Sequence, residues 1–131
     1  MNKGTKLTLS DLLRRKEAKD SNKEVKRVYV ESMEGELELN KLPLAKFLDL
    51  LDGINESTGA GESLRIQMEI IYEFCPILHS KELQEAYECV EPTEIVSKIF
   101  DDNIGEIMTV IAAIFEMYGM ETGDVIDDLK N

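Results

Sequence analysis

The sequence predicts an α+β fold that is mostly α, in which an N-terminal helix and a β-hairpin pack on a compact bundle of about five helices. Hydrophobic residues recur with a period of two over residues 24–40 and with a helical period from Pro43 onward. The chain has no tryptophan and only 6% aromatic residues, which is typical of an aliphatic, helical interior. At 131 residues it is about one domain long, so we expect a single domain over residues 1–131.

Residues 8–23 are expected to form a basic N-terminal helix or arm. Thr8 and Asp11 have the spacing of a capping box, which predicts a helix start. A narrow apolar stripe follows, formed by Leu9, Leu12 and Leu13. From Arg14 to Glu24 the segment is charged or polar apart from one alanine, so we expect the helix to fray there into an arm that a partner orders.

Residues 24–40 are expected to form a β-hairpin. Apolar side chains alternate with polar ones at Val28, Val30, Leu37 and Leu39. Gly35 is predicted to supply the positive φ that a tight turn needs. An isolated hairpin is only marginally stable in water, so its apolar face must lie on the helices.

Residues 43–118 are expected to form the helical body. Its five helical segments are LPLAKFLDLLDGI, ESLRIQMEIIYEFC, SKELQEAYE, PTEIVSKIF and NIGEIMTVIAAIFEMYG. Pro43 and Pro92 suit first-turn positions, and Asn103 with Glu106 has capping-box spacing. Gly119 stands where the last helix should end.

Charge is divided unevenly along the chain. Residues 1–30 carry a net charge of +5, whereas residues 31–131 carry −17. An acidic body repels a phosphate backbone, so general nucleic-acid binding is not expected except through the short basic arm. No apolar run approaches the roughly 20 residues that span a bilayer, and the first residues lack the apolar core of a secretory signal. We therefore expect a cytosolic protein without a membrane partner.

The stretch from Phe74 to Cys89 contains the histidine and both cysteines of the chain. A structural zinc site needs four such ligands, and Cys75, His79 and Cys89 supply three at unsuitable spacings. Cys75 continues the apolar stripe of its helix, and His79 precedes Ser80, the expected N-cap of the next helix. We expect two free thiols, a core cysteine and a turn histidine.

Two other motifs fail on a required residue. TGAGES has Leu64 where a dinucleotide-binding loop needs a third glycine or alanine. DDNIGE has Glu106 where a calcium loop needs glycine. Asp101, Asp102 and Asn103 are interpreted as helix-capping residues instead. We predict no catalytic residues, no metal and no cofactor, hence a protein that is not an enzyme.

A family resemblance emerges from four segments in order: TLSDLL, EVKRVYVES, CPILHSKELQEAY and EIVSKIFDDNIGEI. Over residues 8–118 the chain resembles the XkdN-like tail assembly chaperones of phages and prophages. The resemblance implies a non-enzymatic chaperone in the cytoplasm of the bacterial host. It would bind the tape measure protein during tail morphogenesis and be absent from the mature virion, with the tail tube protein and a second copy of the chain as further candidate partners.

Two other functions stay open from the sequence. One is a structural or connector protein that remains in the tail, and the more distant one is an acidic decoy that mimics nucleic acid. Salt distinguishes the decoy, because binding that depends on phosphate-like charge weakens steeply as salt increases.

The chain end is the predicted partner-binding region. Residues 119–131 form an acidic tail, and the helix before it is apolar on nearly all sides, which indicates either a buried central helix or an exposed docking surface. Methionine adapts to varied apolar partners. The candidate partner-binding residues are Phe115, Met117, Met120, Val125, Ile126 and Leu129.

Overall fold

The computed structural model describes residues 4–21 and 24–120. In that part of the chain it contains six α-helices and one two-stranded antiparallel sheet, which confirms the predicted α+β, mostly α fold. The helices are α1 (Leu9–Ser21), α2 (Leu44–Leu51), α3 (Ala60–Phe74), α4 (Lys81–Ala86), α5 (Glu94–Ile99) and α6 (Ile104–Glu116). The strands are β1 (Val25–Val30) and β2 (Gly35–Asn40).

Helix α1 begins with the predicted capping box. The Thr8 backbone N–H donates to the Asp11 carboxylate at 2.9 Å, and the Asp11 N–H donates to the Thr8 hydroxyl at 3.2 Å. The helix continues to Ser21, beyond the point where we expected it to give way to an arm. Its leucine stripe remains in solvent, because every residue from 9 to 19 except the half-buried Asp11 is exposed. The structure therefore does not show the predicted packing of this helix on the bundle.

The hairpin buries one face against the helices, as its alternation predicts. Val28, Val30 and Leu39 are buried, and Val28 lies opposite Leu37 in the register. The turn is a short 3-10 segment, Glu31–Met33, that ends with Glu34 in the left-handed region at φ 51°. The prediction that Gly35 supplies the positive φ was therefore wrong: Gly35 is the first residue of β2. The Glu34 N–H bonds the Glu31 carbonyl, and this contact holds the non-glycine residue in a conformation that costs about 1–2 kcal/mol.

Helix α6 lies at the centre of the core. Seven of its residues are buried, which confirms the buried-helix interpretation of this apolar segment. It packs against α3 on one side and β1 on another. At its C-terminal end Phe47 of α2 meets Phe74 and Phe115 edge to face and stacks on Tyr118 with ring centroids 4.4 Å apart. These contacts join α2, α3 and the end of α6 into one core.

The predicted helix ends are largely confirmed. Ser80 caps α4 by accepting a hydrogen bond from the Leu83 N–H, and Asn103 caps α6 by accepting from the Glu106 N–H at 3.1 Å. Gly119 ends α6 at φ +81°, with the Met120 N–H donating back to the Phe115 carbonyl. This geometry is a C-terminal cap of the Schellman type.

Other end residues sit slightly differently from the prediction. Pro43 is the N-cap of α2 and lies just outside its first turn, and Pro92 precedes Thr93, the N-cap of α5. Asp101 and Asp102 both have positive φ in the turn between α5 and α6, so Asn103 caps α6 without them.

Candidate functional site

Cys75 is a core residue. It has no exposed surface, and burial raises the pKa of its thiol to about 11. Burial disfavours the charged thiolate, which is the nucleophilic and metal-binding form. The structure therefore places this cysteine where the sequence analysis expected it and gives it a packing role.

His79 and Cys89 also have structural surroundings. His79 is exposed, its Nε2 lies 2.7 Å from the Tyr72 carbonyl oxygen, and its ring stacks on Tyr72 with centroids 4.2 Å apart. Cys89 is a free, half-buried thiol at the edge of the core. Within residues 4–21 and 24–120, no group of three or more histidine, cysteine or acidic side chains is arranged to hold a metal ion.

The most promising binding feature is a groove between strand β1 and helix α6, which we call the β1–α6 groove. It consists of two adjoining hollows of about 320 Å³ and 190 Å³ that share Tyr29 and Thr109 in their walls. Its exposed walls are Tyr29 and Thr109, and its floor is formed by the buried side chains of Val28, Val30, Val110, Ala112 and Ala113. Both hollows are open to solvent and do not enclose a ligand, which suits a segment of polypeptide lying on the surface better than a small metabolite.

Small side chains on α6 create the groove. Thr109, Ala112 and Ala113 lie on the helix face that looks toward β1, at spacings of three and four residues. Larger residues at these positions would close the space between strand and helix. Because β2 pairs with only one edge of β1, the other edge has no neighbouring strand among the described residues.

Polar contacts hold the two ends of the groove. At one end the Lys26 Nζ donates to a Glu116 carboxylate oxygen at 2.7 Å. At the other end Ser32, in the hairpin turn, donates to both carboxylate oxygens of Glu106. The hairpin is thus tied to α6 at both ends, while the middle of the groove stays open.

The predicted partner-binding residues do not share one described surface. Phe115 is only 6% exposed and packs against Phe47, so it belongs to the core and we leave it out of the proposed binding surface. Met117 is half-buried against the core, whereas Met120 is 43% exposed. Val125, Ile126 and Leu129 lie outside the described residues.

Sequence reasoning missed the β1–α6 groove because its walls are about 80 residues apart in the chain. The one signal in the sequence was the set of small residues in an otherwise large-residue helix, TVIAAIF. That signal becomes meaningful only when β1 is known to lie beside it. Charged groups in the groove take part in the contacts that tie the hairpin to α6: Lys26 pairs with Glu116, and Glu106 accepts from Ser32.

Comparison with known protein families, with curated proteins and with solved structures returns no match to this chain. In the described ranges, no helix combines the length and the apolar character needed to cross a membrane.

Proposed function

We propose that this protein is a non-enzymatic tail assembly chaperone that binds the tape measure protein during tail morphogenesis and leaves before the virion is mature. The identity of the client rests on the resemblance to XkdN-like proteins. The observation that carries a binding role is the β1–α6 groove, where the exposed Tyr29 lies on a strand whose other edge has no neighbouring strand among the described residues.

The groove supports binding of an extended or helical client segment in two ways. An extended segment can add to the free edge of β1 and gain main-chain hydrogen bonds, with its side chains against the exposed Tyr29 and Thr109. A helical segment can pack on the exposed side chains of Tyr29 and Thr109. Both modes recognise general features of a chain, which suits a chaperone that must cover a long client.

The surface charge supports transient holding. Residues 31–131 carry a net charge of −17, which keeps a complex with exposed apolar groups soluble. Met120, at the end of α6, adds an exposed and adaptable apolar group.

The test is co-expression of the full chain with the tape measure protein, followed by affinity capture and quantification of the client. Thr109→Arg fills the centre of the groove, and Tyr29→Ala removes part of its wall. Both residues are exposed, so we expect melting temperatures close to wild type and client capture reduced by at least about tenfold.

Tyr87→Ala is the matched control for Tyr29→Ala. Tyr87 is also an exposed tyrosine, 43% against 59%, but it lies in the turn after α4 and outside the groove. Equal loss of capture in both variants would rule out the groove as the client site.

Two further measurements separate the alternatives. Stoichiometric amounts of the protein in purified mature particles would support a structural or connector protein in place of a chaperone. Client capture that disappears between low and moderate salt would support a charge-based decoy, because apolar binding is much less sensitive to salt.

A further inference from the structure

Helix α1 has an apolar face that the rest of the described chain does not cover. Leu9, Leu12 and Leu13 are 74%, 51% and 52% exposed. Lys16 lies on the same face, seven residues after Leu9 and three after Leu13. The face therefore has two turns of leucine followed by a positive charge.

Helix α2 has a second uncovered apolar face. Phe47 points into the core at 2% exposure, while Leu44 and Leu48 are 56% and 51% exposed on another side of the helix. Asp52, the C-cap of α2, follows Leu48 by four residues and is also exposed. This face has two turns of leucine followed by a negative charge.

The two faces complement each other when the helices run parallel. In this orientation the leucines of α1 pack on Leu44 and Leu48 of α2, and Lys16 lies beside Asp52. The match agrees with the division of charge along the chain, since residues 1–30 carry +5 and residues 31–131 carry −17. The opposite charges of Lys16 and Asp52 determine how the two helices align along their axes, while burial of the leucines contributes most of the free energy of binding.

The connections in the chain disfavour this match within one molecule. The Lys41 N–H donates to the Glu24 carbonyl, so the exit from α1 and the entry to α2 lie close together. In a parallel match within one molecule, Leu9 would lie level with Leu44, and Ser21 would lie about 18 Å beyond Leu44 along α2. Glu24 lies beside Lys41, before α2 begins, and the three residue steps from Ser21 to Glu24 span at most about 11 Å. The chain is therefore too short for this match.

We propose that α1 docks on α2 of a second copy of this chain. If each copy lends its α1 to the other, two identical contacts close a dimer and leave neither face uncovered. A second copy supplies what the α1 face lacks: the exposed leucines Leu44 and Leu48, followed by the negative charge of Asp52. The β1–α6 groove takes no part in this contact.

The test is sedimentation velocity of the full chain over a hundredfold range of concentration. The wild-type protein should shift from monomer to dimer as the concentration rises. Leu12→Asp combined with Leu13→Asp, and separately Leu48→Asp, should each raise the dimer dissociation constant at least about tenfold. Because these leucines are exposed, the melting temperature of the monomer should hardly change. Val90→Asp is the control, since Val90 is 89% exposed and lies on neither helix.

A charge exchange tests the register. Lys16→Asp and Asp52→Lys should each weaken the dimer, and the two substitutions in one chain should restore it. Wild-type protein that stays monomeric throughout, equal weakening by Val90→Asp, or no restoration by the exchange would overturn the proposal. Binding of monomeric wild-type protein to anionic phospholipid vesicles, lost in the Leu12→Asp and Leu13→Asp variant, would assign α1 to membranes instead.

Discussion

Ser32 and Glu106 form a two-point contact between the hairpin turn and the first turn of α6. The Ser32 backbone N–H donates to one carboxylate oxygen at 3.0 Å, and its hydroxyl donates to the other at 2.6 Å. Glu106 stands at the position where a capping-box glutamate would bond back to the N-cap residue. It accepts hydrogen bonds from Ser32, 74 positions away, instead. A glutamate whose spacing from Asn103 predicts a local helix cap therefore makes a tertiary contact.

Replacing Glu106 by alanine should therefore destabilise the whole domain. The substitution removes two hydrogen bonds to a charged acceptor and frees one end of the hairpin from α6, which we expect to lower the free energy of unfolding by about 1–2 kcal/mol. Urea denaturation measures this change. Glu69→Ala, at an exposed glutamate of α3, is the control and should change it by less than about 0.5 kcal/mol. Equal losses in the two variants would mean that the Ser32 contact contributes nothing.

The two cysteines should differ sharply in reactivity. Burial holds the Cys75 pKa at about 11, so at neutral pH its thiol is protonated as well as inaccessible, whereas Cys89 is half-buried. A water-soluble thiol reagent should label one cysteine in the native protein and both after unfolding in urea. Peptide mass spectrometry identifies the labelled position, and Cys89→Ser should abolish native labelling. Rapid native labelling of Cys75 would contradict its assignment to the core.

Gln67 is a polar residue whose burial is only partly compensated. It is 4% exposed, its amide nitrogen lies 3.3 Å from the Ser63 hydroxyl, and its Oε1 has no hydrogen-bond partner among the described residues. An unpaired buried acceptor costs about 1–3 kcal/mol. Gln67→Leu should therefore raise the free energy of unfolding, by about 1 kcal/mol.

Gln84→Leu provides the contrast for Gln67→Leu in the same denaturation experiment. The Gln84 amide donates to the Leu78 carbonyl at 2.8 Å and approaches the Tyr72 hydroxyl at 3.4 Å, so its removal leaves a partner unsatisfied and should lower the free energy of unfolding. A loss of stability in both variants would indicate that the Gln67 Oε1 is satisfied in solution.

Local features of this protein were predictable from neighbouring residues. The capping box of Thr8 and Asp11, the N-caps Ser80 and Asn103 and the end of α6 at Gly119 all follow from side chains or backbone freedom within a few positions. The hairpin and the helices follow from hydrophobic period, because one face of each element must be buried. Cys75 was assigned to the core for the same reason.

Features that depend on which helices and strands pack against each other could not be predicted from neighbouring residues or from hydrophobic period. Glu34 replaces Gly35 in the left-handed position because the 3-10 segment ends one residue earlier than the expected turn. Phe115 lies in the core and not on a docking surface because Phe47 of α2 packs on its ring at 5.1 Å. The β1–α6 groove lies between a strand and a helix about 80 residues apart in the chain, which are joined at both ends by Lys26 with Glu116 and by Ser32 with Glu106. Periodicity shows that a face must be covered, but the identity of the element that covers it is set by the packing of the whole chain.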